Sequence, residues 1–221
     1  MSSMAIDNDA VEILIAARRV ANFACLQGVP ADSRHPRACY QHMGAILVDT
    51  TLQAGLNYAN VVRPRVTRAL ALFPEATTIG ALIEIVESGK SAAILNWQHP
   101  LKISRFERIV NFLHRNDVRD SKELRRRLSN KDFCALLQDI HGVGPKTVDY
   151  MACLVGVESI AVDRHIRSFA QEVGILDKDY SFLKHVFCAA ADLLAISRRE
   201  FDAWVWRHEV ERKSPQMAFS F

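Results

Sequence analysis

Between Phe133 and Val155 apolar side chains recur at helical spacing on both sides of one short break, which leaves the chain little local choice but helix, tight turn, helix. Phe133, Leu136, Leu137 and Ile140 fall at i, i+3, i+4 and i+7. Ser129-Asn130-Lys131-Asp132 precedes them in a near capping-box pattern, with Ser129 as the expected N-cap and an acid three residues on. His141-Gly142-Val143-Gly144 ends that helix, because glycine takes positive φ without steric cost. Pro145 suits the first position of a second helix, where its missing N–H is no loss. Val148, Met151, Ala152 and Val155 give the second helix a buried face, and Gly156 can close it.

The same periodicity runs through nearly the whole chain. Helices are predicted at roughly 8–26, 38–54, 57–73, 77–87, 90–97, 101–115, 120–127, 131–140, 145–155, 164–173, 181–194 and 198–212. Breaks fall at Gly28-Val29-Pro30, Pro74, Gly89, Pro100 and Gly174. No pair of segments alternates as a hairpin of strands would, so the expected class is all-α. There is no internal repeat and no low-complexity tract, and both ends, Met1 to Asp7 and Ser214 to Phe221, are expected to fray.

The turn brings chemistry with it. A Gly-x-Gly turn opening a helix presents N–H groups at the positive end of a helix dipole, a nest suited to a phosphate oxygen, although an ordinary tight turn between helices is the plainer account of Gly-Val-Gly alone. Lys146 follows in the first helical turn, where the dipole opposes a cation and so favours the neutral amine, a nucleophile. Its alternative is a solvated lysine paired with Asp149 at i+3. Asp163 follows the apolar run Ile160-Ala161-Val162 and precedes Ile166, Phe169, Ala170 and Val173 at helical spacing. It reads as an N-cap, a role that can also hold a carboxylate rigidly beside a cleft.

The run from Gly142 through Lys146 to Met151, followed by Ile160-Ala161-Val162-Asp163-Arg164-His165-Ile166, resembles the helix-hairpin-helix, Gly/Pro-Asp superfamily of DNA glycosylases. It is most similar to the endonuclease III branch. The dense likeness covers Leu136 to Val173, and a looser one extends from about Met43 to about His208. The resemblance implies two helical lobes with the active site in the cleft between them. One would be a helical barrel at 45–160 ending in the helix-hairpin-helix motif, the other would join 1–44 to 161–221. It implies DNA-backbone contacts at Gly142, Val143 and Gly144, a lysine nucleophile at Lys146 and a catalytic aspartate at Asp163. Ile46 to Ala54 resembles the family's buried helix ending in Gln-Ala, which makes Gln53 the residue that fills the gap left by an extruded base; a surface helix end is its alternative. His165 matches a family histidine, with simple solvent exposure as the other reading.

The implied partner is double-stranded DNA containing a damaged base or abasic site, bound by a monomer. A base inside the duplex is out of reach, so the nucleotide is rotated out at a cost of a few kcal/mol. Lys146 attacks C1′ to form a Schiff base, Asp163 assists, and β-elimination cuts the strand: a glycosylase with AP lyase activity. Oxidised pyrimidines are the expected substrate. An 8-oxoguanine-type glycosylase/lyase and a non-catalytic helix-hairpin-helix DNA-binding protein are the alternatives.

Charge and cysteine content add constraints. Residues 101–160 carry eleven basic against eight acidic side chains, whereas the rest of the chain is balanced. Lys102, Arg105, Arg108, Arg115, Arg119, Lys122 and Arg125 to Arg127 supply the excess, read as a surface over phosphates or, for Arg125 to Arg127, as a solvated helix face. Cys25, Cys39, Cys134, Cys153 and Cys188 match no cluster or zinc spacing, so no metal and no iron–sulfur cluster is expected. His35, Cys39 and His42 form no coherent ligand set, and a monovalent cation such as potassium or sodium on the hairpin carbonyls would leave no trace in the sequence. Cys134 and Cys153 are expected as small core residues, and Phe201, Trp204, Val205 and His208 as packing of the second lobe. Trp97 to Ile103 stands where the family has a wedge loop, with Leu101 or Ile103 as wedge. No segment reads as a signal peptide or a membrane span, and the cysteines fit a reducing interior, so an intracellular location in cytoplasm, nucleoid or nucleus is expected, with no membrane partner.

Overall fold

The structure, a computed structural model, describes residues 2–30 and 39–213. Among these residues the fold is all-α: twelve α-helices, one π-helical turn and no strand. Met1, His35, Ala38 and Ser214 to Phe221, on which sequence expectations also fell, lie outside the described residues. The chain divides into two compact units, Ala38–Val157 and Met1–Arg37 with Glu158–Phe221.

The unit Ala38–Val157 is built around α2 (Met43–Leu52), every residue of which is buried. Against it pack α3 (Arg63–Leu72), α4 (Ile79–Glu87), α5 (Ser91–Leu95), α6 (Pro100–Arg115) and α9 (Pro145–Leu154). Helices α7 (Ser121–Leu128) and α8 (Lys131–Gln138) complete the unit, α7 touching both α8 and α9. Its core includes Ile46, Leu47, Leu82, Ile94, Leu95, Phe106 and Met151, all fully buried, and the polar Asp49 of α2 is buried with them.

Three expectations for this unit are corrected. The helix placed at 38–54 starts only at Met43, because His42 caps it: Nδ1 accepts from the Ala45 N–H at 3.1 Å, so Nε2 carries the proton and donates to the Phe73 carbonyl at 2.9 Å. The single helix at 57–73 is a π-helical turn, Tyr58–Val62, followed by α3. Pro64 has no N–H to give, so the register slips there, and Val62 donates back to Asn57 and Arg63 to Tyr58. The N-cap of α8 is Asn130, whose Oδ1 accepts from Asp132 and Phe133, while the Ser129 hydroxyl donates to the Arg125 carbonyl.

The other unit holds α1 (Ser2–Leu26), α10 (Arg164–Glu172), α11 (Tyr180–Leu193) and α12 (Arg198–Lys213). Helix α1 runs along α11, and α12 packs on α10 and α11. The backbone of Ser2 to Asp7 continues α1, where fraying was expected. Its core is largely aliphatic and includes a cluster of rings. Phe169 meets Phe23, Phe187 and Trp204 edge-on with centroids 5.1, 6.0 and 5.8 Å away, and Phe201, Trp204 and His208 stack along α12. Phe201 and Val205 are fully buried. Among the described residues no single helix is long and apolar enough to cross a membrane.

Candidate active site

The link between α8 and α9 turns on one glycine. Gly142 has φ +82°, and a Cβ built on it would run into the Arg105 guanidinium from α6. Gly144 differs from expectation: at φ −100°, ψ −178° it is extended backbone, with open space where a Cβ would stand. It is the N-cap of α9 and contributes no side-chain cap bond. Val143 is buried, its N–H donating to the Ile140 carbonyl at 2.8 Å. Exposed Gly142 and half-buried Gly144 are therefore the positions through which a ligand could approach the turn.

Lys146, in the first turn of α9, is half-buried, not solvated. Its Nζ donates to Oε1 of Gln53, the C-cap residue of α2, and lies 5.4 Å from the centre of the Tyr150 ring one turn further on. Since an amine N–H must meet the oxygen, the Gln53 amide is oriented with Nε2 away from the lysine. That Nε2 is buried and has no partner among the described residues. Tyr150 is anchored in turn, its hydroxyl donating at 2.8 Å to Asp49, which also accepts from Tyr58 at 3.3 Å. Asp49 is fully buried, one turn before Gln53 on α2. Two side chains of α2, Asp49 and Gln53, thus bracket the lysine, one directly and one through Tyr150.

Lys102 was expected on the basic surface, and the structure turns it inward. Its ammonium donates to the carbonyls of Thr51 at 3.0 Å, Leu52 at 3.5 Å and Ala54 at 3.0 Å, at the C-terminal end of α2. Burial, with the positive charges of Arg105 and Lys146 nearby, lowers its pKa to about 8. Arg126 and Arg127 are likewise partly engaged, both bonded to Glu123. Of the two wedge candidates, Leu101 is exposed at the start of α6 while Ile103 packs against the core.

Asp163 belongs to the other unit and caps α10. Oδ1 accepts both capping bonds, from His165 at 2.8 Å and Ile166 at 3.1 Å, which leaves Oδ2 without a partner among the described residues. His165 is buried, against the reading of it as solvent-facing; its ring takes a bond from Arg164 Nε at 3.2 Å and meets Trp206 edge-on. The same unit gathers Glu172, His208 and Glu209, but Arg212 already bridges the two carboxylates. Cys153 is buried and the Cys134 thiol donates to the Leu128 carbonyl at 3.3 Å.

Asp49, Tyr58, Lys102 and Tyr150 are the site residues that sequence patterning missed. One signal pointed at Asp49: a carboxylate inside the run Ala45-Ile46-Leu47-Val48-Asp49-Thr50-Thr51-Leu52 must be buried with the helix and so needs donors. Comparison with family models, curated proteins and solved structures gave no match.

Proposed function

We propose that this chain is a base-excision DNA glycosylase with AP lyase activity. The observation that carries the reading is Lys146: an amine held half-buried in the first turn of α9, directly after the Gly142-Val143-Gly144 turn, and oriented by Gln53 and Tyr150. The helix-hairpin-helix likeness supplies the substrate, duplex DNA with a damaged base or an abasic site. Gly142 and Gly144 offer backbone N–H groups, and the open space at Gly144 lets a phosphate come close. Val143 and His165 are both buried.

In the reaction, the lone pair of Lys146 Nζ forms a bond to C1′ as the bond from C1′ to the base breaks, the base leaving with the electron pair and taking up a proton. Asp163 Oδ2 is the carboxylate oxygen to face the positive charge that develops on the sugar. Loss of the amine proton and opening of the sugar ring give a Schiff base. Removal of a C2′ proton then expels the 3′ phosphate and cuts the strand. Gln53 gives up Lys146 when DNA enters, and its unpaired Nε2 becomes a donor to the bases left behind. Oxidised pyrimidines are the first substrates to offer, and 8-oxoguanine is the competing lesion.

Borohydride trapping on duplex DNA carrying one abasic site tests the reading. Wild type should give a covalent adduct that Lys146→Gln loses, and Asp163→Asn should slow it. A wild type that binds the duplex without any adduct would leave a monofunctional glycosylase or a binding module. A lesion panel then separates oxidised pyrimidines from 8-oxoguanine.

A further inference from the structure

We infer that Lys102 is the positioning residue of this site, fixing the turn that presents Gln53 to Lys146. This rests on the reading of Lys146 as the amine nucleophile. Helix α2 ends at Leu52, and a helix end leaves carbonyls without intrahelical donors. Among the described residues no backbone N–H reaches the carbonyls of Thr51, Leu52 or Ala54. The three are collected by one ammonium, delivered from α6 at a separation of 51 residues from Thr51. Gln53 lies between them, so the bonds that close the turn also set where its amide points.

The charge is as suited as the geometry. An ammonium at a helix C-terminus meets the negative end of the dipole, and each bond it makes to a carbonyl is charge-assisted. Burial, Arg105 and Lys146 all oppose its charge, and the bonds to the carbonyls work against them. A methionine of similar length would keep the packing and lose the bonds. An arginine would keep a cationic donor.

The test reads Lys146 without using DNA. Formaldehyde with cyanoborohydride labels amines, and peptide mass spectrometry gives the rate at each lysine. In the intact protein Lys146 should label slowly beside exposed Lys122 and Lys131. Lys102→Met should raise the Lys146 rate alone, by roughly tenfold, the scale of one charge-assisted hydrogen bond, and Gln53→Leu should match it. Lys102→Arg should restore the slow rate. An unchanged Lys146 rate in folded Lys102→Met overturns the inference. Should that variant fail to fold, ¹⁵Nζ spectra of the wild type decide, since a caged Lys102 ammonium is protected from exchange and an unprotected one overturns the clamp. Abasic-site trapping on the same variants separates the two ideas. Wild type that traps nothing, with Lys102→Met still accelerating labelling, sinks the lyase reading and leaves the clamp standing.

Discussion

Each of the two units carries, beside an aliphatic core, a cluster of a different kind. Around Phe169 the unit Met1–Arg37 with Glu158–Phe221 buries rings against rings, and His208 joins the stack as one more flat surface. Around the end of α2 the unit Ala38–Val157 gathers a buried carboxylate with a half-buried amide, two tyrosines and two lysines. Apolar contacts are non-directional and add up by area, so they make a frame. Polar contacts under the surface are costly unless each is matched, so they place particular atoms at particular points. Chemistry therefore belongs at the end of α2, where polar groups are concentrated without being needed for packing.

The largest expected effect falls on the aromatic side. Phe169→Ala removes a fully buried ring with four aromatic neighbours and should cost about 3–5 kcal/mol of stability, read from denaturant unfolding. Amine labelling of Lys146 should not change in the folded variant. A change there would break the division between frame and site.

Tyr150→Phe is the counterpart in the polar cluster. It removes a hydroxyl that donates to a buried carboxylate while keeping the ring, and should cost about 2 kcal/mol, the range for bonds to charged groups. The ring near Lys146 survives the change, so trapping should persist at a reduced rate. A loss below a few tenths of a kcal/mol would mean that Asp49 does not rely on this donor.

What was visible in the sequence follows the same division. The helix before Gly142, the turn and the start of α9 at Pro145 rest on neighbours in the chain, and spacing reveals neighbours. Phe201 and Val205 could be assigned to the interior for the same reason, by their place on one helical face. Lys102 and Tyr150 could not. Their partners are 48 to 101 residues away, and nothing in a lysine among Arg105, Arg108 and Arg115 says that it turns inward onto the end of α2. Pro64 is an intermediate case. Its missing donor was legible, but the slip into a π-helical turn is felt upstream, at Tyr58 to Val62, where no residue announces it.

Alkaline pH acts on the polar cluster through Lys102. Its pKa in the folded protein is about 8 against 10.5 for an ordinary lysine. Between those values the unfolded chain holds a proton that the folded chain has released, so stability should rise with pH across that window. The gain is the relief of a desolvated charge repelled by Arg105 and Lys146. Urea midpoints measured across the window should climb in wild type and lose that component in Lys102→Met. A wild-type curve that falls across it would contradict the burial of this ammonium.

Acid should produce the smallest effect, at the surface of the same unit. Hydrogen bonds from Arg126, with further support from Arg127, hold the Glu123 carboxyl down to about 2 from an ordinary 4.5. Its folded-state pKa is depressed, so its contribution is complete above 4.5 and is lost as pH falls toward 2. Yet Glu123 faces solvent on α7, where water and salt screen both partners, so Glu123→Gln should move the neutral-pH unfolding midpoint only slightly, and less in high salt. Near pH 2 the variant and wild type should converge. A large salt-insensitive loss would show Glu123, Arg126 and Arg127 to be a buried network like that at Asp49. A small one keeps the contrast between an exposed ion pair, which tolerates loss, and the interior polar groups at the end of α2, which do not.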